Sequence, residues 1–385
     1  MRRPLFAIAC LALLALVPFV APASDAARTG TDNTITVGPD GDRLWPFTSR
    51  SRAFEGRTLV LNVIVTEDPK TVERMLSRRA ATDWTARQPD SGVQPPAPGV
   101  GRVDDDWRGA HGAIRYTYAE ADGDGQWLKQ RYQLHVGTYL GTRHHIRAFA
   151  PSRDSEWTAL QAHSEYWDWF RLRHTVTEVH ATADRLEADF RRLDGATVER
   201  AYTRQRGPLR DGIVVVSGLV PILVGRGGLR SLRGRLAGAL SDPDRRTRTL
   251  GLAAIAAGAP LAIRVAGIAL ERLVPLVTPK LFVVMLYPWL AIALPVAVAR
   301  QSSELPPWLA APVATLGLSA GFAAEFAVLG VTPPPGLVWH RLFVAAALGV
   351  VAAAAAASGG RRSLGTLAGA SLWLAGLLVP LFGLL

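Results

Sequence analysis

The chain has 385 residues, of which 49% are hydrophobic, a formal charge of +11 and a mean hydropathy of +0.16. That mean is too apolar for an ordinary soluble protein, and the apolar residues crowd into the C-terminal half, which points to a membrane protein with a water-soluble half. The positive charge does not argue for nucleic acid, because no reading motif accompanies it and its densest run flanks an apolar segment, where positive-inside topology and anionic headgroups account for it.

Residues 1–27, "MRRPLFAIACLALLALVPFVAPASDAA", carry a basic start, an apolar stretch and small residues suited to cleavage. They read as a signal peptide, with an uncleaved signal anchor as the alternative. Arg2 and Arg3 are paired, but the rest of a twin-arginine signal is not evident, which favours the general secretory route. The single cysteine, Cys10, falls inside this segment, so the remaining chain has neither a disulfide nor a thiolate ligand.

Residues 28–56, rich in Gly, Asp and Thr, read as a loose N-terminal segment. "RTLVLNVIV" (Arg57–Val65) predicts one buried strand, and Asp68–Arg79 an amphipathic helix capped near Thr71. The Pro- and Gly-rich stretch Gln88–Gly101 predicts a loop or flexible insertion. Beyond it, polar and apolar residues alternate around "DGDG" and "YLGT", the composition of successive hairpins. A strand over Trp169–His180 and a helix over Ala183–Leu193 follow. Residues 57–210 therefore predict an α+β domain with a mainly antiparallel sheet.

Two stretches of this domain, "QLHVGTYLGTRHHIRAF" (Gln133–Phe149) and "WDWFRLRHTVTEVHATADRLEADF" (Trp167–Phe190), resemble the C-terminal domain family named after LssY. Its members carry a similar glycine-arginine-histidine-arginine hairpin, then a histidine-bearing strand and an acidic helix. The resemblance spans about Leu59–Tyr202 and implies no established activity. Some members are joined to a membrane phosphatase of the acid-phosphatase type. The residues such a phosphatase needs are missing here, since no Pro-Ser-Gly-His element occurs and His163 stands too far from Ser152 and Arg153.

Apolar runs at Gly212–Gly225, Leu250–Leu270, Leu281–Ala299, Trp308–Val331, Val338–Ala357 and Leu364–Leu385 predict an all-α transmembrane bundle of about six helices over residues 211–385. The first run is short but is kept as a span, with a last strand of the preceding domain over Leu209–Leu219 as the alternative. Pro260, Pro288, Pro295 and Pro312 are tolerable in a packed bundle. With six spans, the arginine-rich loop 226–248 (Arg226, Arg230, Arg233, Arg235, Arg245, Arg246 and Arg248) shares one face with Arg300, Arg361 and Arg362. That face is expected to be cytoplasmic and the polar domain extracytoplasmic.

Three histidines, His135, His144 and His145, mark the first resembling stretch. A turn at Tyr139–Thr142 sets His135 opposite Ile146 and on one face with His144, with His145 on the other. Ligand- or anion-binding candidates are His135, Arg143, His144, Arg147, Arg171, Arg173 and His174. A metal set of nitrogen and oxygen ligands is His135, His144, His174, Glu178 and His180. Against both stands a plain strand surface of hydrogen-bonded histidines beside a solvated basic face. Trp157, Tyr166, Trp167, Trp169 and Phe170 read as core or membrane-facing surface.

Within the spans, Arg264 and Glu325 stand at matched depth and are suited to pairing, with Lys280, His340 and Arg341 on the same rim. Gly317, Ser319 and Gly321 spell a hydrolase-like G-x-S-x-G, but no later span supplies the base, and the spacing suits close helix packing. The expected function is a membrane protein of the cell envelope whose external domain binds or senses an envelope component. Its partners are the bilayer and either anionic headgroups or another envelope protein, with no cofactor implied. A membrane-bound hydrolase of a lipid-linked or phosphorylated substrate is the alternative, without a complete catalytic motif. A transporter comes third, without an internal repeat.

Overall fold

The computed structural model describes residues 34–49, 52, 57–86, 114–121, 123–193, 198, 241–361 and 363–382. The expected signal segment 1–27, the expected loop or insertion 88–101 and the short apolar run 212–225 lie outside the described residues.

Ahead of the bundle the chain forms strands β1 (Ile35–Val37), β2 (Asp42–Leu44), β3 (Phe47–Ser49), β4 (Arg57–Val60), β5 (Val63–Val65) and β6 (Thr85–Ala86). They are followed by β7 (Tyr116–Ala121), β8 (Asp124–Lys129), β9 (Tyr132–Gly137), β10 (Thr142–Phe149), β11 (Thr158–Asp168) and β12 (Arg173–Glu178). One sheet runs β1-β2-β7-β3-β4 with β8 on β7, and the other β12-β11-β10-β9-β6 with β5 on β11. All their pairings are antiparallel.

Among the strands, two sequence expectations need correction. The segment read as loose supplies β1–β3: its strands are too short to show a period, and Gly38 and Gly41, at φ 71° and 78°, turn β1 back onto β2. The single strand expected over Arg57–Val65 is split between the sheets at Asn62. Its amide donates to Ala162 O at 2.9 Å and Val179 O at 3.1 Å, and its Oδ1 accepts from Ala162 N at 2.9 Å. A side chain that mimics the ladder lets the backbone leave it.

Helix α1 (Pro69–Arg78) is capped by Asp68, not Thr71, because the carboxylate takes the Lys70 and Thr71 amides. Helix α2 (His180–Arg191) starts earlier than expected, and Glu178 accepts from Ala181 N. Both helices cover one face of the second sheet, where Val72, Leu76, Leu186 and Phe190 pack on Leu134, Ile146, Leu160 and Ala162. At one end of the opposite face, Phe149, Trp157 and Ala159 pack against the first sheet through Leu44, Ala119 and Leu128. The result is sheet, sheet and helices in layers.

Among the described residues five long helices follow: α3 (Pro243–Leu273), α4 (Pro279–Ser302), α5 (Pro307–Leu329), α6 (Pro335–Ser358) and α7 (Leu364–Leu381, ending in a 3₁₀ turn). Each is long and apolar enough to cross a membrane, and their outward Leu, Val, Ile and Trp side chains require a bilayer around them. Proline opens α3 to α6, where its missing N–H costs nothing, and Ser363 and Thr366 form a capping box on α7. Pro288 precedes a π-turn at Trp289–Ala293 in α4, and the Trp373 indole donates to Ala291 O at 2.9 Å. Gly317 and Gly321 let α5 lie on α3, since a Cβ on Gly321 would stand 2.5 Å from Ala257 O. Ser319 turns its hydroxyl to Thr315 O at 2.8 Å.

Candidate functional site

The hairpin of β9 and β10 turns through Tyr139–Gly141, with Thr138 N donating to Thr142 O at 3.0 Å. His135 therefore faces His145 and not Ile146. Gly137, at φ 115°, makes this turn possible, because a Cβ there would stand 2.5 Å from Thr142 O. A slip of one residue exchanges the faces. His135 and His145 stack with ring centroids 4.2 Å apart. His144 points the other way, and its Nδ1 meets Thr182 Oγ1 at 2.8 Å and Ser164 Oγ at 3.2 Å.

Across β9, β10 and β11 the inner face reads in rows Gly137–Arg143–Glu165, His135–His145–His163 and Gln133–Arg147–Gln161. All eight of the side chains in these rows are buried. Arg143 Nε donates to Glu165 Oε1 at 2.7 Å, and Arg147 Nη1 to Gln161 Oε1 at 2.7 Å. Gln161 in turn bonds Thr48 of the first sheet. His145 Nε2 lies 3.0 Å from Gln133 Oε1, its Nδ1 3.4 Å from Glu165 Oε1, and His163 Nε2 3.2 Å from Glu165 Oε2.

Burial, then the Arg147 charge, hold His145 well below the ordinary imidazole value, and burial lowers His163 against the pull of Glu165. Burial would raise the Glu165 carboxyl, but its contacts with His145 and His163 outweigh that and keep it well below the carboxylate range. The basic face expected to be solvated is thus an interior polar layer at Arg143 and Arg147.

His174 carries this network out of the sheet. Arg143 Nη2 lies 3.3 Å from His174 Nδ1, and because a guanidinium only donates, Nδ1 accepts while Nε2–H donates to Tyr139 O at 3.0 Å. The Tyr139 and Leu140 amides donate to the Glu271 carboxylate of α3 at 2.6 and 2.8 Å. One turn of the sheet domain is thereby fixed to the bundle.

Arg264 completes the attachment. Its Nε and Nη2 reach Glu325 Oε1 at 3.0 and 2.6 Å, its Nη2 also donates to Trp167 O at 2.7 Å, and its Nη1 bonds Leu140 O. Arg341 of α6 pairs with Asp168, its guanidinium 4.5 Å from the Phe170 ring and 4.9 Å from that of Phe322. Burial would raise Asp168, but Arg341 outweighs it and lowers the carboxyl. Tyr139, Leu140, Tyr166, Trp167, Trp169 and Phe170 share one apolar cluster with Ile263, Phe322, Phe326 and Trp373 of the helices. His340 bonds Gly376 O at 2.8 Å.

The expected metal set does not assemble. His144 faces α2, Glu178 accepts from Ala181 N of that helix and His180 is its first residue, while His174 bonds Arg143 and Tyr139. Of the anion candidates, His135, Arg143 and Arg147 share the inner face, Arg171 is half-buried beyond Asp168, and Arg173 opens β12. The structure instead adds His145, His163 and Glu165 to His135. The polar alternation Gln161, His163, Glu165 was the available signal, but no strand was expected over 158–168. No protein-family model matches the chain, and neither a curated protein nor a solved structure matches it.

Proposed function

We propose that this membrane protein is a sensor or binding protein of the cell envelope, in which the sheet domain meets an extracytoplasmic component and the bundle anchors it and receives the response. The observation that carries this reading is the unbroken polar path from Glu165 through Arg143 and His174 to the Tyr139–Gly141 turn, and from that turn to Glu271, Arg264 and Glu325. Sidedness is supported by Arg245, Arg246, Arg248, Arg300 and Arg361, which lie toward the helix ends remote from the docking turns. The resemblance to the LssY C-terminal domain-like family supports treating Gln133–Phe149 and Trp167–Phe190 as one unit, since these two stretches also carry the docking turns.

A chain of contacts is a relay only if breaking it changes the far end. Arg143→Met removes the middle link, and we expect faster amide hydrogen exchange at the docked end of α3, around Arg264–Leu273. His144→Ala, on the opposite sheet face, is expected to leave that segment unchanged. Equal exchange in the Arg143→Met and unmodified proteins would refute the relay. Location is tested separately by single cysteines at exposed Ser152 and Ser241 in a Cys10→Ser chain. An impermeant thiol reagent on intact cells is expected to label Ser152→Cys alone; labelling of Ser241→Cys alone would invert the topology.

A further inference from the structure

We propose that His135, His145 and Glu165 bind a divalent transition metal of the zinc type, with His163 beside them. One ligand atom from each of the three lies within 4.8 Å of the others, and all three residues are buried. They project from three neighbouring strands of one sheet, so the backbone holds them together. Imidazole flanked by a fixed hydrogen-bond partner is the usual form of a metal-binding histidine.

One tautomer of His145 favours a cation at this point. If Gln133 Oε1 accepts from His145 Nε2–H, then His145 Nδ1 presents a lone pair to Glu165 Oε1 at 3.4 Å. Two acceptors then face each other at a buried position, where Glu165 Oε1 also accepts from Arg143, and a positive ion between the two removes the conflict. His163 Nδ1 has no hydrogen-bond partner among the described residues and offers a further nitrogen. Arg143 and Arg147 oppose a dication electrostatically, with Glu165 neutralising one of them. Because the donors are two imidazoles and one carboxylate, the set suits an imidazole-preferring ion and not Mg²⁺ or Ca²⁺, which need several oxygens.

The test is elemental analysis of the full-length chain, purified in detergent without a histidine tag, together with thermal unfolding after chelation and after adding Zn²⁺. About one ion per chain is expected, with a lower melting temperature after chelation that Zn²⁺ restores. His145→Ala and Glu165→Gln should each lose the ion, while His144→Ala, its neighbour on the opposite face, should keep it. Two results would overturn the proposal. One is metal-free wild-type protein whose melting is indifferent to Zn²⁺, Fe²⁺ and Mn²⁺, an arm that does not depend on any variant folding. The other is an ion retained at full occupancy in His145→Ala.

Discussion

Arg264 serves two structures at once, neutralising Glu325 inside the bundle while donating to two backbone carbonyls of the sheet domain. Removing it leaves a buried carboxylate without its cation, a loss of about 3–5 kcal/mol, and strands two carbonyls at about 1–3 kcal/mol each. Removing Glu325 leaves the guanidinium both carbonyls. Arg264→Met is therefore expected to destabilise the protein more than Glu325→Gln in denaturant unfolding in detergent, and the reverse order would contradict the dual role. The charges themselves are legible in the sequence because ionisable residues in apolar runs are conspicuous. Their carbonyl partners are not, since Leu140 and Trp167 reach Arg264 only through turns whose geometry depends on strand register.

At the scale of elements, α3 and α5 approach through Gly317 and Gly321, and the small-residue spacing that marks this contact is open to sequence reading. Gly321→Ala would drive a Cβ to 2.5 Å from Ala257 O, a backbone atom that cannot yield without separating the helices. A loss of about 1–3 kcal/mol is expected from such overpacking. Gly258→Ala meets nothing within 4 Å and should be neutral or stabilising by about 1 kcal/mol through helix propensity. Equal effects of the two substitutions on the melting temperature would show that the α3–α5 contact is not close. The spans are legible for a plain reason: length, hydropathy and an opening proline are local properties. Strands β1–β3 and β11 are not. The first three are too short for a period, and in β11 the alternation is confined to Gln161–Glu165, between an apolar start and the Tyr166–Trp167 end of a strand buried on both faces. The histidine hairpin shows the sharpest limit, because a one-residue difference in its turn moved His145 onto the inner face and His144 off it.

For the whole molecule, the consequence is that the sheet domain and the bundle form one body. The docking turns combine an apolar cluster with charges drawn from α3, α5 and α6, so burial of Trp169 and Phe170 holds the charged groups in a water-poor setting where their bonds are strong. Any signal received by the sheet domain then has a mechanical path to the helices. The direct measurement is a disulfide across the junction. Leu140 Cβ lies 3.6 Å from the position of a Cβ on Gly267, within the range of a disulfide, although the Trp169 ring edge at 2.8 Å must shift slightly. In a Cys10→Ser chain oxidised in native membranes, Leu140→Cys with Gly267→Cys is predicted to lose both reactive thiols and regain them on reduction, whereas Leu140→Cys with Gly258→Cys keeps them. If the 140 and 267 thiols stay as reactive as the 140 and 258 pair, the sheet domain is not seated on the bundle and the account fails.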